Sequence, residues 1–345
     1  MSRLHRALLP IALAAMATMA TTVSAQSSVT LSGRVDLGLK NAPGDLTKNT
    51  DNISGVDESS NGRLNIAGRE QISGDLTAFF MMEARFNADT GAQSDATSFF
   101  KDKSWVGLDS KTFGEVRLGR LHSPQYGIGT AGRYEAFSGD SYASMGSRGA
   151  LAANQWNNSI AYTTPSFNGF NAGLIWQAGE KLVANGSGVF VSYNKGPLSM
   201  AASYQKEQDK MVTTGIDTME TKAVGAYYDF GVVRLSSTYA RSTKVNITNT
   251  GSESVFTMGA RIPMGPGELR TSYRKVNDTS RKATNDASAD ADSTRYSVGY
   301  AYFLSKRTSI NLSLVRENQK RYNANGSNKS DFSGTGYEAA LRHLF

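Results

Sequence analysis

Charged side chains recur at alternate positions in the N-terminal part of the sequence. Arg63 and Arg69 are six residues apart and Glu83 and Arg85 are two apart, so in an extended chain each pair points to one side. In an earlier segment of the same alternating pattern, Arg34 falls on the polar side as well. Arginine stays charged at any working pH, and a row of fixed cations attracts anions without making or breaking bonds. These residues predict a wetted, charged surface that acts on ions.

Residues that could carry catalysis are sparse. The absence of cysteine excludes a disulfide scaffold, a thiolate zinc site and a cysteine nucleophile. His122 next to Ser123 could supply a base and a nucleophile, but a hydrolase also needs a group that orients the base. His343 lies far away in the sequence and is expected at the membrane interface rather than at a ligand site.

Cofactor motifs are incomplete. Gly127–Gly132 has the spacing of a dinucleotide-binding loop, but no amphipathic helix follows it. Asp286, Asp290 and Asp292 lack the glycine and glutamate of a calcium loop. Basic residues are scattered without interleaved aromatics, which gives no support to nucleic-acid binding. We therefore predict no cofactor, no metal and no nucleic-acid partner.

The N-terminus has the pattern of a cleaved export signal. Arg3 and Arg6 precede an apolar run, and Val23–Ala25 supplies the small residues that signal peptidase accepts, so residues 1–25 are predicted to be removed. The remaining residues, 26–345, number 345 − 25 = 320 and carry a formal charge of 7 − 2 = +5. An exported chain without cysteine indicates a bacterial envelope.

The exported part alternates apolar and polar residues over sixteen segments of eight to fourteen residues. An even number suits a closed antiparallel barrel in a membrane, and short turns alternate with long polar connections, as in outer-membrane barrels. We therefore predict an all-β fold, a 16-stranded transmembrane β-barrel over residues 26–345. The segments begin near Val29, Arg63, Leu76, Lys103, Val116, Asn158, Phe170, Gly188, Leu198, Lys222, Val232, Val255, Glu268, Thr294, Thr308 and Thr335.

A soluble β-sandwich would alternate in the same way, but its apolar faces would form a core of Val, Ile and Leu. The apolar faces here carry many tyrosines near the strand ends, which is typical of aromatic girdles at a lipid interface. This composition favours the membrane barrel. The tyrosines are Tyr228, Tyr239, Tyr273, Tyr296, Tyr300, Tyr302 and Tyr337.

Four runs and the last residue resemble those of a known family. The runs are Ser28–Asp36 (SVTLSGRVD), Arg63–Thr77 (RLNIAGREQISGDLT), Trp105–Leu108 (WVGL) and Phe113–Arg120 (FGEVRLGR). In this order they resemble the first five strands of Gram-negative general diffusion porins, in the version common among β-proteobacteria. The terminal Phe345 resembles the aromatic residue that outer-membrane barrels present to their assembly machinery.

The resemblance implies a homotrimer of 16-stranded barrels in the outer membrane, in contact with lipid and lipopolysaccharide. It also implies that the third loop, here residues 121–157, folds inward and narrows each pore. Within it, Glu135 and Asp140 would be the acids at the constriction.

Basic positions of the family's pore wall match Arg34, Arg63 and Arg148. Side-chain parity adds Arg69 and Arg85 to the predicted basic wall. Asp102 stands where the family has a further wall arginine, which weakens the expected cluster.

The favoured interpretation is a water-filled channel for passive diffusion of ions and small hydrophilic solutes, with weak to moderate anion preference and no enzymatic activity. A solute-selective channel for organic anions is an alternative, in which aromatic residues of the third loop form a sliding surface. A barrel hydrolase with His122 as base and an adhesin or structural anchor are further alternatives. The loop aromatics are Tyr126, Tyr134, Phe137 and Tyr142.

Overall fold

A computed structural model describes residues 28–42, 53–130, 132–138, 141–144, 153–179, 185–209, 217–243, 251–278, 290–322 and 328–345. The predicted export signal, residues 1–25, lies outside these residues. The described chain contains one helical turn, Tyr126–Thr130, and seventeen β-strands. The strands are β1 (Ser28–Ala42), β2 (Ile53–Glu58), β3 (Gly62–Gln71), β4 (Leu76–Phe86), β5 (Lys103–Ser110), β6 (Gly114–His122), β7 (Gln155–Thr163), β8 (Phe170–Gln177), β9 (Gly186–Lys195), β10 (Leu198–Asp209), β11 (Asp217–Asp229), β12 (Arg234–Thr243), β13 (Ser252–Met264), β14 (Gly267–Asp278), β15 (Asp290–Phe303), β16 (Thr308–Tyr322) and β17 (Asn328–Leu344).

The strands form one closed antiparallel sheet. Each barrel strand pairs with its sequence neighbour, and β1 pairs with β17 to close the ring. Both β2 and β3 pair with β1, on the same side and at successive positions, so the two segments together occupy one place in the ring. The prediction of a 16-stranded antiparallel barrel is therefore confirmed.

The connections alternate in length around the ring. Short turns of two to six residues follow β3, β5, β7, β9, β11, β13 and β15. The connections after β4, β6, β8, β10, β12 and β14 are longer, whereas the one after β16 has five residues. The connection after β1 contains the strand β2, although no strand was predicted between the segments that begin near Val29 and Arg63. It forms because β1 extends beyond the end of β3 and leaves backbone groups that β2 pairs with. In this type of barrel the short turns face the periplasm.

The two faces of the barrel wall differ as the alternation predicts. Outward-facing leucines are well exposed, with Leu31 at 62% and Leu341 at 54%. Tyrosines of the predicted girdles also lie outside, including Tyr239 and Tyr296. Inward-facing positions are mostly Ser, Thr and charged residues. The described residues contain no helix that is both long enough and apolar enough to cross a membrane.

The last strand is tied to the first at the seam of the barrel. The Arg342 guanidinium donates to Asp36 Oδ2 from Nε at 2.8 Å and from Nη2 at 2.5 Å, and Asp36 is fully buried. The backbone of Phe345 exchanges hydrogen bonds with Gly33 at 2.9 and 3.2 Å. One ion pair and one pair of backbone hydrogen bonds therefore join the first strand to the C-terminal end of the last strand.

Replacement of Asp36 by Ala should destabilise the barrel, because it leaves the Arg342 guanidinium without its carboxylate partner at the seam. We expect a loss of about 3 kcal/mol in the free energy of unfolding. The matched control is Asp229→Ala, which removes a carboxylate from an exposed pair with Arg234 and should destabilise the barrel much less than Asp36→Ala does. Denaturant unfolding in detergent, followed by circular dichroism, measures both variants. Equal losses would contradict a special role for the seam.

Candidate functional site in the barrel lumen

Three predicted wall arginines lie directly opposite one another on adjacent strands. Arg34 on β1 faces Arg63 on β3, and Arg63 faces Arg85 on β4. All three side chains point into the lumen. We call them the first arginine row. Like charges at directly opposite positions repel each other, so such a row needs carboxylates nearby.

Glu83 and Asp102 supply these carboxylates. Glu83 lies 2.7 Å from Arg85 Nε, 2.5 Å from Lys103 Nζ and 3.7 Å from Arg63 Nε. Asp102 lies 2.9 Å from Arg85 Nη2 and 3.1 Å from Lys103 Nζ. Two acids thus hold three cations in place. Together with Arg34 these residues form what we call the wall cluster.

Asp102 is the most heavily bonded acid of the wall cluster. Besides its two cations it accepts from Gln155 Nε2 at 3.0 Å and lies 2.9 Å from His122 Nε2. Burial opposes its ionisation, but the bond from His122 and the charges of Arg85 and Lys103 hold the pKa of Asp102 well below its usual range. The residue that departs from the family's basic position is therefore a fixed anion that offsets part of the arginine charge.

Arg34 lies deeper in the wall than Arg63 does. Its side chain is buried and donates to Ser60 Oγ at 2.5 Å and to the backbone oxygen of Asn61 at 3.0 Å. The segment between β2 and β3 therefore covers it. The side chain of Arg63 is 23% exposed, so Arg63 presents more of its charge to the lumen.

The other predicted site residues are placed differently. Arg69 is not part of the wall cluster; its guanidinium lies 2.9 Å from Asp109 Oδ2, toward the short-turn rim. Arg148 and Asp140 lie outside the described residues. Glu135 is buried, and its Oε2 accepts from the backbone N–H of Phe137 at 2.9 Å.

We call the connection between β6 and β7 loop three. It lies against the luminal wall away from the wall cluster. Its helical turn contacts β10, β11 and β12. Tyr134 is buried and its ring sits over Gly225, where a Cβ would stand 2.4 Å from the ring. The ring of Phe137 covers Gly299 in the same way, at 2.9 Å. Small residues in the wall therefore let the loop approach closely.

An apolar patch on the luminal face explains this attachment. Tyr134 and Ile128 of loop three pack on apolar wall residues that side-chain parity alone would expect to be polar. Burial of Tyr134 and Phe137 shows that the predicted aromatic sliding surface is wrong at these two positions, since both rings face the wall. The wall residues of the patch are Ala223, Ala240, Val255 and Val276.

A second set of arginines lies in the lumen where none was predicted, and its central member holds the loop. Arg234, Arg261 and Arg270 lie directly opposite one another on β12, β13 and β14, and we call them the second arginine row. Arg261 Nε donates to the backbone oxygen of Ala136 at 2.6 Å, and its Nη2 donates to that of Glu135 at 3.2 Å. This second arginine row could have been predicted from the sequence. Tight turns fix the register of these strands, so the number of residues between each arginine and its turn shows which arginines lie opposite one another.

The motifs considered for enzymatic or metal chemistry do not assemble into such sites. His122 is held by Asp102 and stacks on Tyr126, with ring centroids 4.3 Å apart, while Ser123 Oγ accepts from the backbone N–H of Tyr126 at 3.3 Å. Within the described ranges no group of three or more His, Asp or Glu side chains could hold a metal ion. Of the acidic loop residues, Asp290 and Asp292 belong to β15 and Asp286 lies outside the described residues.

Comparison with known proteins decides the family. A family model described as Gram-negative porin matches residues 12–322. The chain belongs to the Gram-negative porins. It therefore forms a channel in the outer membrane and is not an enzyme, so the hydrolase alternative is set aside.

Relatives of known name agree with this assignment. The porin is 33% identical to outer membrane porin protein 32 of Delftia acidovorans, over 93% of this chain and 95% of that protein. It is 26% identical to an outer membrane porin protein of Bordetella pertussis, over 97% and 99% of the two chains. Among solved structures, the anion-selective porin from Comamonas acidovorans aligns with a TM-score of 0.77 at 29% identity, covering 93% of this chain and all of that one.

Removal of the Asp102 charge should strengthen anion preference. Asp102→Asn keeps the shape of the side chain and removes one of the two carboxylates of the wall cluster. At a distance of roughly 8 Å in water, one unit charge is worth about 0.5 kcal/mol, so we expect about a twofold rise in the chloride-to-potassium permeability ratio. Reversal potentials in a salt gradient measure it. Asp95→Asn removes the same charge from the outer connection and should change the ratio much less; an equal effect of both variants would count against the wall cluster.

A side chain at Gly225 should shift loop three. Gly225→Ala places a methyl group 2.4 Å from the Tyr134 ring, so the ring and its part of the loop must move. We expect a changed single-channel conductance with a barrel that still folds. Gly74→Ala is the matched control, because a Cβ there meets nothing within 4 Å. Unaltered conductance of Gly225→Ala would mean that this contact does not position the loop.

Proposed function

We propose that this porin is a water-filled channel for passive diffusion of ions and small hydrophilic solutes, with a weak to moderate preference for anions. The observation that carries the proposal is the charge of the wall cluster. Four cations, Arg34, Arg63, Arg85 and Lys103, lie with two acids, Glu83 and Asp102, so the charge of the wall cluster is 4 − 2 = +2. Selectivity in a wide pore comes from such fixed charge, because ions pass with most of their hydration.

Loop three supplies the opposite side of the proposed constriction. In this proposal the first arginine row, with Arg148, is the basic wall, and Glu135 and Asp140 contribute negative charge from the loop. Arg69 lies nearer the short-turn rim and acts on the same solutes as they leave. A basic wall facing an acidic loop produces a transverse field, which orients dipolar solutes and disfavours apolar ones.

The preference is moderate because the wall carries its own counter-charge. Asp102 is bonded to two cations of the cluster, and Glu83 contacts three. A wall of uncompensated arginines would exclude cations more strongly. The anion selectivity named for the Comamonas acidovorans porin supports the direction of the preference.

We also propose that the porin works as a homotrimer surrounded by outer-membrane lipid and lipopolysaccharide. An outer membrane protein of Vibrio cholerae solved in a trimer form shares the fold, with a TM-score of 0.68 at 14% identity. The exposed aromatic Phe345 at the end of the last strand is the proposed contact for the barrel assembly machinery.

Planar-bilayer recording of the purified protein tests channel and trimer together. We expect insertion in steps of three equal conductances and a reversal potential that favours chloride over potassium. A preference for potassium would refute the anion proposal, and single steps would refute the trimer.

Loss of a luminal arginine should reduce the preference. Arg63→Gln removes one exposed positive charge from the first arginine row, and we expect about a twofold fall in the chloride-to-potassium permeability ratio. The matched control is Arg316→Gln: Arg316 is exposed on the outer face and bonds Thr335 Oγ1 at 2.8 Å. The same loss of charge at that position should leave the ratio unchanged. A comparable fall in both variants would show that the effect comes from net charge rather than from the pore wall.

A further inference from the structure

A cavity of about 380 Å³ opens from the lumen between loop three and the wall of β4 to β10. Its size is within the range of about 300–1,000 Å³ typical of small-molecule sites. Arg117 is the fourth residue of β6 after a short turn, Ala201 is the fourth residue of β10 after another, and both line it. The cavity therefore lies on the short-turn side of the loop, below the first arginine row.

The wall of this cavity is apolar, although it belongs to the luminal face. Trp105, Phe190 and Ala201 are half-buried and line it, and Ile175 and Leu121 lie behind them. Phe190 and Ala201 also pack against the neighbouring patch that loop three covers, so they lie at the border between that patch and the cavity. Apolar surface in a water-filled lumen attracts the apolar part of a solute.

The rim of the cavity is basic. Lys103, Arg117 and Arg133 line it, and among the described lining residues there is no carboxylate. Lys103 is bonded to the two acids of the wall cluster. Arg117 forms a pair with Glu115 at 2.5 Å while its guanidinium lies 5.0 Å from the centre of the Trp105 ring. Both of these cations are paired with acids that do not line the cavity, so the positive charge that favours an anion comes mainly from Arg133.

Arg133 is the cation best placed to bind a solute. It is exposed, and the contacts it makes within the described part of the chain are to neutral groups: the side-chain oxygen of Asn194 and the ring of Tyr134. When the partners of a guanidinium are neutral, no neighbouring anion offsets its positive charge. Its planar set of N–H donors also matches the two oxygens of a carboxylate.

We propose that this cavity binds small monocarboxylates that carry an aryl or short-alkyl body, with the carboxylate at Arg133 and Arg117 and the body on Trp105 and Phe190. The inference rests on the proposed open channel and adds a solute class to it. A fully hydrophilic anion would be attracted by the cations but would lose hydration against the apolar wall. A neutral aromatic molecule would contact the wall but would not be attracted by the cations. Both parts of the solute are therefore needed for binding.

Single-channel recording in potassium chloride tests the proposal directly. Sodium benzoate is the probe, added to the side that carries the short turns; acetate is the anion without a body, and benzamide is the body without a charge. We expect benzoate to reduce the chloride current in a saturable manner, and acetate and benzamide to have little effect. A benzoate response no greater than that of acetate would overturn the proposal.

Two variants separate charge from shape. Arg133→Gln removes the exposed cation, and Ala201→Leu fills the cavity without a change of charge. Arg133→Gln should raise the half-blocking benzoate concentration about tenfold, because it removes a charge-assisted hydrogen bond; a factor of ten corresponds to about 1.4 kcal/mol. Ala201→Leu should also raise it, because the larger side chain occupies space that the solute needs. Arg316→Gln, on the outer face, should leave the benzoate response unchanged. Equal half-blocking concentrations in Arg133→Gln, Ala201→Leu and the unaltered protein would refute the site.

A binding measurement keeps the inference independent of conductance. Trp105 lines the cavity, whereas Trp156 is buried and Trp176 is exposed on the outer face. We expect 4-nitrobenzoate to quench part of the tryptophan emission in the refolded protein, and Trp105→Phe to abolish that saturable part. Saturable quenching without ion current would refute the open channel but support the cavity. Anion-selective current with neither saturable quenching nor benzoate block would refute the cavity and leave the proposed function intact.

Discussion

Antiparallel register is the constraint on which the lumen depends. Because side chains at directly opposite positions point the same way, three adjacent strands that each carry an inward arginine at matching positions produce a row of like charges. The barrel contains two such rows, Arg34–Arg63–Arg85 and Arg234–Arg261–Arg270. Each row must be compensated, and the two differ at their central position: Arg63 lies beside the carboxylate of Glu83, whereas Arg261 donates to backbone oxygens of loop three. The flanking arginines of the second row have carboxylate partners, Asp229 for Arg234 and Glu268 for Arg270.

This difference assigns separate tasks to the two sides of the pore. Carboxylates beside the first row reduce its net charge and fix its geometry, so the residual potential acts on passing ions. In the second row, Arg261 donates hydrogen bonds to the backbone oxygens of Ala136 and Glu135, and these bonds hold the loop against the wall. The loop is also held by shape, since Gly225 and Gly299 let aromatic rings lie directly on the backbone. Electrostatics and close packing therefore act together to keep the loop in place.

Much of the fold was predictable because period-two alternation is local and the strand count follows from it. The sixteen segments, the wet and apolar faces and the inward direction of Arg34 and Arg63 all followed from parity. Parity could not predict contacts between residues that are far apart in the sequence. The luminal patch of Ala223 and Val255 is apolar because loop three covers it, and no local pattern states which connection folds onto which wall. For the same reason the burial of Glu135 and Tyr134, and the cavity beside Trp105, required the three-dimensional structure.

The seam has a consequence for how the channel comes into being. Asp36 and Arg342 are 306 residues apart, and Phe345 pairs with Gly33. The ring is closed only when β17, the last described strand, pairs with β1. A chain that lacks β17 would leave one edge of β1 unpaired, so its strands would not enclose an aqueous path.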